Sequence, residues 1–347
     1  MTELLPTIWY VAVGLLWFGF ILLDGFDLGV GMRMLFGNRD ERKRRMVLNA
    51  IGPFWDGNEV WLITAIGAMF AAFPFWYASL LSGSYFVCLF IIIGLILRAV
   101  GIEYRSKVHT TQWRAWCTRS IGVGSGMIAF GIGGLLGLVS FGLPIDAHGD
   151  SYEAFAWFSP GFILAGISVL GFSLVHGAAF IALKTNDSVK NESHQFISRW
   201  SIVLLVPFLA WVAAVLWQYS PDITIYTLIP LSALVIAVWI SNALRRDGLT
   251  FSLLGVFLFC AFGAILMSQY PNVLPSTIDN AHNLTVMNAS SSPYTLSIMS
   301  IVALFGLPIV ITYQVWTYWV FRHRLSDKDI PIVKLFKKSP HDTHPKP

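Results

Sequence analysis

The chain has 347 residues, of which 56% are hydrophobic and only 12% charged, with 14 Trp and 26 Phe. A soluble core could not hide that much apolar surface, so the composition excludes a soluble globular enzyme and leaves a polytopic membrane protein, expected to be an all-α integral membrane protein from the apolar stretches that follow. The formal net charge of +4 does not point to nucleic acid, because the 23 Lys and Arg are spread over five places beside apolar stretches rather than gathered in one patch.

Stretches of about 20 apolar residues, the length that crosses a hydrocarbon core at about 1.5 Å per residue, recur along the whole chain. In order they are 8 to 35, 52 to 73, 77 to 101, 119 to 143, 160 to 183, 200 to 219, 223 to 244, 250 to 270 and 295 to 321, which predicts nine transmembrane helices in one membrane domain. Basic residues lie at Arg33 to Arg45, Arg98 to Arg119, Lys184 to Arg199, Arg245 with Arg246, and Arg322 to Lys346. These are alternate connections plus the C-terminal tail. The positive-inside rule then places the N-terminus outside and the C-terminus in the cytoplasm, which only an odd number of helices allows. Arg42 to Arg45 are expected to face anionic lipid headgroups. The first helix is too long, and its start at Glu3 too acidic, for a cleaved signal peptide.

The first helix carries Asp24 and Asp27, three residues apart and therefore neighbours on one helical face. Asp24 precedes Arg33, the first basic marker, by nine residues. That is about 14 Å along a helix, too deep for a short side chain to reach the headgroups. A carboxyl there must be paired, hydrated in a cavity or protonated, and Arg98 is the expected partner. Gly25 and Gly29 flank Asp27 as a G-x-x-x-G pair, and Gly133 with Gly137 form another in the fourth helix, which lets backbones approach closely.

The second span opens with GPFWDGNEVW, placing Trp55, Asp56, Asn58 and Glu59 in its first turns. An ionisable residue on a spanning segment costs about 2.5 to 3.5 kcal/mol on insertion scales, and such residues tend to line a substrate, ion or proton path. Taken alone, Asp56 and Glu59 also fit a well-capped helix start, since Pro53 suits the first turn and acids near it are stabilised by the helix dipole. Together with Asp24, Asp27 and Arg98 they form a set gathered in the cytoplasmic half of the membrane. Glu103 and Arg105 follow near the inner end of the third helix.

The second half is chemically quieter. Helices five to eight carry His176 as their one interior ionisable residue, which reads as hydrogen-bonded packing rather than a haem or metal ligand. Cys88, Cys117 and Cys260 have no paired spacing, so neither a disulfide framework nor a zinc site is indicated. The outer loop from Pro271 to Ser292 is rich in Asn, Ser and Pro, and its sequons at Asn283 and Asn288 carry little weight by themselves. The buried acids fit a proton-coupled secondary transporter, although no second Gly/Pro-interrupted acidic segment occurs in helices five to eight, or a purely structural scaffold.

The runs DGFDLGVGM (24 to 32), GPFWDGNEVWLIT (52 to 64), AAFP (71 to 74), LRAVGIEYRSK (97 to 107), YPNVLPSTI (270 to 278), NASSSPYTL (288 to 296) and WTYWVFRHRLS (316 to 326) strongly resemble subunit II of the cytochrome bd-type quinol oxidases, from end to end of the chain. The WDGNEVW motif is highly specific, although some relatives carry Gln in place of Glu59. The resemblance implies two four-helix bundles plus one further helix: a first half over 8 to 143, a second over 160 to 270, an extracytoplasmic loop over 271 to 294, a ninth helix over 295 to 321 and a basic cytoplasmic tail over 322 to 347. It implies a heterodimer with subunit I, which carries haems b558, b595 and d and the quinol site, together with membrane lipids and, in some complexes, small accessory subunits. The implied complex sits in the bacterial cytoplasmic membrane, oxidises a quinol and reduces dioxygen to water, separating charge without pumping. By the same resemblance Trp55, Asp56, Asn58, Glu59, Asp24, Asp27 and Arg98 match positions tied to a proton route and to packing against subunit I. No cofactor or metal is assigned to this chain.

Overall fold

A computed structural model describes residues 4–36, 40–108, 110–151, 153–326 and 328, and they are helical almost throughout. The helices are α1 (Leu5–Arg33), α2 (Glu41–Ile51), α3 (Trp55–Ala72), α4 (Pro74–Gly83), α5 (Tyr85–Tyr104), α6 (Thr111–Phe141), α7 (Pro160–Lys184), α8 (Asp187–Tyr219), α9 (Thr224–Ala243), α10 (Asp247–Gln269) and α11 (Pro293–Val320). Between α10 and α11 a small antiparallel ribbon pairs β1 (Asn272–Leu274) with β2 (Leu284–Thr285), Asn272 facing Thr285. Glu3, residue 327 and residues 329–347 of the expected basic tail lie outside the described residues.

The helix starts are written in the sequence. Proline occupies the first turn of α1, α4, α7 and α11, where its missing amide hydrogen is not needed. Asp40, Thr110, Ser159 and Ser292 cap α2, α6, α7 and α11 by accepting from the amides of Lys43, Trp113, Phe162 and Thr295.

Eight helices among the described residues are long and apolar enough to cross a membrane. The span expected over 52 to 73 folds as α3, an 18-residue helix that is not among those eight. The span expected over 77 to 101 is divided into α4 and α5 by Ser84. Its start moves back because Pro74 cannot continue α3, so the chain turns at Phe73 (φ −136°, ψ 68°) and begins a new helix at once. α2 was not foreseen, since its 11 residues are too short to cross a membrane and its basic run reads as a topology marker. It buries Met46, Val47, Ala50 and Ile51 while its Arg and Lys side chains stay half-buried, an amphipathic helix at the bundle end.

Polar contacts gather the basic connections at one end of the molecule. Glu41 of α2 accepts from the two terminal guanidinium nitrogens of Arg105, just after α5, at 3.0 and 2.8 Å, and lies 3.4 Å from Arg114 of α6. Lys43 pairs with Glu192 of α8 at 2.8 Å, and Arg33 donates to Ser193 at 3.1 Å. The backbone of Leu325 pairs with Lys184 and Asn186, so the segment after α11 docks beside the end of α7. The opposite end is tied by Leu143 to Pro275 and Thr277, by Ser276 to Ile145, and by Ser291 to Ala71 and Ala72.

α1 lies inside, against α3, α6 and α7, and also touches α10 and α11. Gly29 makes this possible, because a Cβ there would collide with the backbone carbonyl of Ser173 in α7. Gly133 and Gly137 do the same between α6 and α7, where added methyls would meet the carbonyls of Ala165 and Gly161 at 2.5 and 2.6 Å. α8 packs against α7 and α9, and α10 touches α7, α8 and α9. α11 stands apart, and only its Leu296 is buried.

Candidate functional site

The site forms where α1, α3, α5 and α11 meet near the basic end. Asp24 and Arg98 are both fully buried. The guanidinium donates to both carboxylate oxygens, at 2.8 and 2.6 Å, a bidentate ion pair that fastens α1 to α5. Glu59 approaches the same guanidinium at 3.8 Å, with its side chain still 18% exposed. The indole of Trp55 lies 6.0 Å from the guanidinium carbon, closing the side toward the start of α3.

Asp27 and Asn58 form a second layer, also fully buried. The Asn58 amide nitrogen donates to Asp27 Oδ2 at 2.7 Å and to the carbonyl of Leu23 at 3.1 Å. Its carbonyl oxygen accepts from Gln314 at 2.8 Å and from the Tyr318 hydroxyl at 3.0 Å, both on α11. Asp27 Oδ1 and Glu59 Oε1 are buried without a hydrogen-bond partner. Asp24 and Glu59 thus face one guanidinium, while Asp27 is held by Asn58 beside them. Asp27 Oδ1 is left unengaged and Glu59 Oε1 is held only by the long 3.8 Å contact to Arg98, so either oxygen is open to a proton while the Asp24–Arg98 pair stays intact.

The sequence places these residues simply. Asp24 and Asp27 share a face of α1, while Trp55, Asn58 and Glu59 fall within one turn of one another at the start of α3. Asp56 lies in that same first turn but on the exposed side, with no hydrogen bond or ion pair among the described residues. The order Asp56 exposed, Glu59 partly exposed, Asp24 and Asp27 buried runs from surface to interior. Six of the seven expected residues are therefore brought together, and Asp56 stands at their edge.

Gln314 and Tyr318 were missed. Their signal was available, as two polar groups four residues apart on one face of an apolar helix, but a Tyr near a helix end reads first as an interface anchor. A second polar cluster was also missed. Asp247 of α10 takes Lys190 and Arg324 at 2.7 Å each, and His194 Nε2 lies 3.0 Å from its other oxygen. The cause is helix length: α8 begins at Asp187, so residues expected in a connection lie on the helix.

His176 is fully buried, with Nε2 3.0 Å from the Leu22 carbonyl oxygen and its ring stacked between Phe172 and Phe251 at centroid distances of 5.0 and 4.5 Å. Its Nδ1 is buried without a hydrogen-bond partner. Among the described residues no cluster of three or more His, Cys, Asp or Glu could hold a metal ion.

A family model described as cytochrome bd terminal oxidase subunit II matches residues 5–321. Cytochrome bd ubiquinol oxidase subunit 2 of Bacillus subtilis (strain 168) is 38% identical over 335 residues, covering 94% of this chain and 98% of the relative. Cytochrome bd-I ubiquinol oxidase subunit 2 of Escherichia coli (strain K12) is 32% identical over 369 residues, covering 94% and 97%. Among solved structures, a chain of the bd oxidase from Geobacillus thermodenitrificans superposes with a TM-score of 0.70 at 18% identity, covering 91% of this chain and 98% of that one, a likeness of fold.

Proposed function

Since the chain belongs to the cytochrome bd terminal oxidase subunit II family, we propose that it works as the second subunit of a quinol oxidase, paired with a haem-bearing subunit I, and that it supplies a proton-entry route from the cytoplasm. The complex couples quinol oxidation to reduction of dioxygen to water. Quinol protons leave on the outer side and protons consumed at oxygen enter from the cytoplasm, so charge separates without pumping. In this reading α3 is the ninth spanning helix, its 18 residues giving about 27 Å. The basic end faces the cytoplasm of a bacterial inner membrane.

The observation that carries the proton route is the burial gradient. Asp56 meets water, Glu59 stands one turn further along α3, and Asp27 with its unengaged oxygen lies inside. Protons pass along such a series because each carboxyl both accepts and donates. The Asp24–Arg98 pair has another task within it. A complete bidentate pair is a clamp, and the guanidinium balances the acids around it. That division keeps a scaffold role for Asp24 and Arg98 while leaving proton transfer to Asp56, Glu59 and Asp27.

Haems b558, b595 and d are assigned to subunit I, where they supply the redox chemistry. This chain's residues hold α1, α3, α5 and α11 together, exclude bulk water from the ion pair and hand protons inward. The test is quinol oxidase turnover of Asp56→Asn in an intact, fully haem-loaded complex. A loss of about tenfold or more is expected if Asp56 gathers protons for the route; unchanged turnover would sink that role and leave the scaffold reading.

A further inference from the structure

A groove of about 360 Å³ opens between α8 and α9 at the basic end, far along the chain from the acids of α1 and α3. It is lined by His194, Gln195, Ser198 and Arg199 of α8, by Asn242 and Ala243 of α9, and by Arg245 in the turn that follows. Its floor is built rather than incidental. His194 and Asn242 are almost fully buried, His194 Nδ1 lying 2.7 Å from Asn242 Oδ1, while the Asn242 amide donates to the His194 carbonyl at 3.1 Å and to Ser198 at 2.9 Å.

Its rim is cationic. Arg199 stacks beside Trp200 at 5.4 Å and makes no ion pair among the described residues, and Arg245 donates only to the neutral Asn191, at 3.0 Å. Asp247, two residues after Arg245, is already held by Lys190, Arg324 and His194. Arg245 occupies the left-handed region, φ 57°, in the short turn from α9 to α10. A glycine would make that turn without steric cost, so what arginine adds is its side chain.

The depth is that of a headgroup. Trp200 and Trp239 are both exposed at this level, the Trp239 indole donating to the Ser198 carbonyl at 3.0 Å. Such rings favour the membrane–water interface. Two unpaired guanidiniums, a polar floor and apolar helix walls running away from them match a negatively charged phosphodiester carrying acyl chains.

We propose that this groove binds the headgroup of an anionic phospholipid. The phosphodiester sits between Arg199 and Arg245 with Ser198 and Gln195 as further donors, and the acyl chains follow the α8–α9 surface. The site is independent of the proton route, so either can fail without the other.

The experiment uses the full chain with the partners it copurifies with, washed in detergent and loaded with phosphatidylglycerol or phosphatidylcholine, the retained lipid being counted by native mass spectrometry. The wild type is expected to retain phosphatidylglycerol preferentially. Arg199→Gln with Arg245→Gln should weaken that retention by about tenfold or more, while Arg199→Lys with Arg245→Lys keeps most of it and Arg119→Gln, outside the groove, changes nothing. Equal retention of both lipids by the wild type, or full retention by the double Gln variant, would overturn the proposal. So would displacement by inorganic phosphate as readily as by phosphatidylglycerol, which would mark a site for the free ion.

Discussion

At the scale of single residues, the burial of Asp24 and Arg98 sets the largest effects. Replacing Asp24 by Asn leaves a guanidinium buried without its carboxylate, which costs about 3 to 5 kcal/mol. Asp24→Asn is therefore expected to lower the yield and thermal midpoint of the assembled protein, whereas Asp56→Asn, on the exposed side of α3, leaves both within error. The reverse pattern in a thermal melt would show that the clamp has been misplaced. Tyr318→Phe removes one of two donors to the Asn58 carbonyl and should cost about 1 kcal/mol, read as a small drop in the same midpoint. The pairing of Asp24 with Arg98 was legible because a deep carboxyl needs a partner and one arginine lies at matching depth. The Asn58 bridge to Gln314 and Tyr318 was not, since nothing local says that α11 returns to α3 after some 250 residues of chain.

At the scale of helices, close backbone approach decides which neighbours are allowed. Gly29 touches the Ser173 carbonyl and the Gly177 backbone, so even a methyl must push α1 off α7. Gly29→Val should cost about 1 to 3 kcal/mol or more and block assembly, while Gly25→Ala, whose nearest new contact is the Ser173 hydroxyl at 3.6 Å, should be accepted. Comparing the detergent-soluble yield of the two variants checks this. Both glycines form one G-x-x-x-G signature in sequence, and the pattern alone does not say which member meets backbone. Hydropathy located most long helices because each is apolar over 20 residues or more. It blurred α4 into α5, since a break at Ser84 changes direction without changing hydropathy. It also passed over α2, whose stability comes from a buried strip against the bundle and from Glu41 bridging Arg105 and Arg114 rather than from apolar length.

At the scale of the whole molecule, the basic connections meet at one end and the small ribbon closes the other, so the charge alternation read from sequence has a direct structural counterpart. Much of α11 is exposed, with Leu296 buried and Gln314 and Tyr318 half-buried against Asn58, and broad faces of α3 and α5 are exposed as well, which leaves apolar surface for a partner subunit and lipid. Haem absorbance is expected only when the chain is purified with subunit I, and reduced-minus-oxidised spectra of the chain expressed alone should be flat. In the proposed route, protons consumed at oxygen enter beside Asp56 and pass Glu59 and Asp27. Time-resolved proton uptake during a single turnover of the intact, haem-loaded complex, with haem oxidation followed in the same sample, decides whether they do. Asp56→Asn should slow proton uptake by about tenfold or more while the first electron transfer to oxygen keeps its wild-type rate. Uptake as fast as in the wild type would contradict the route.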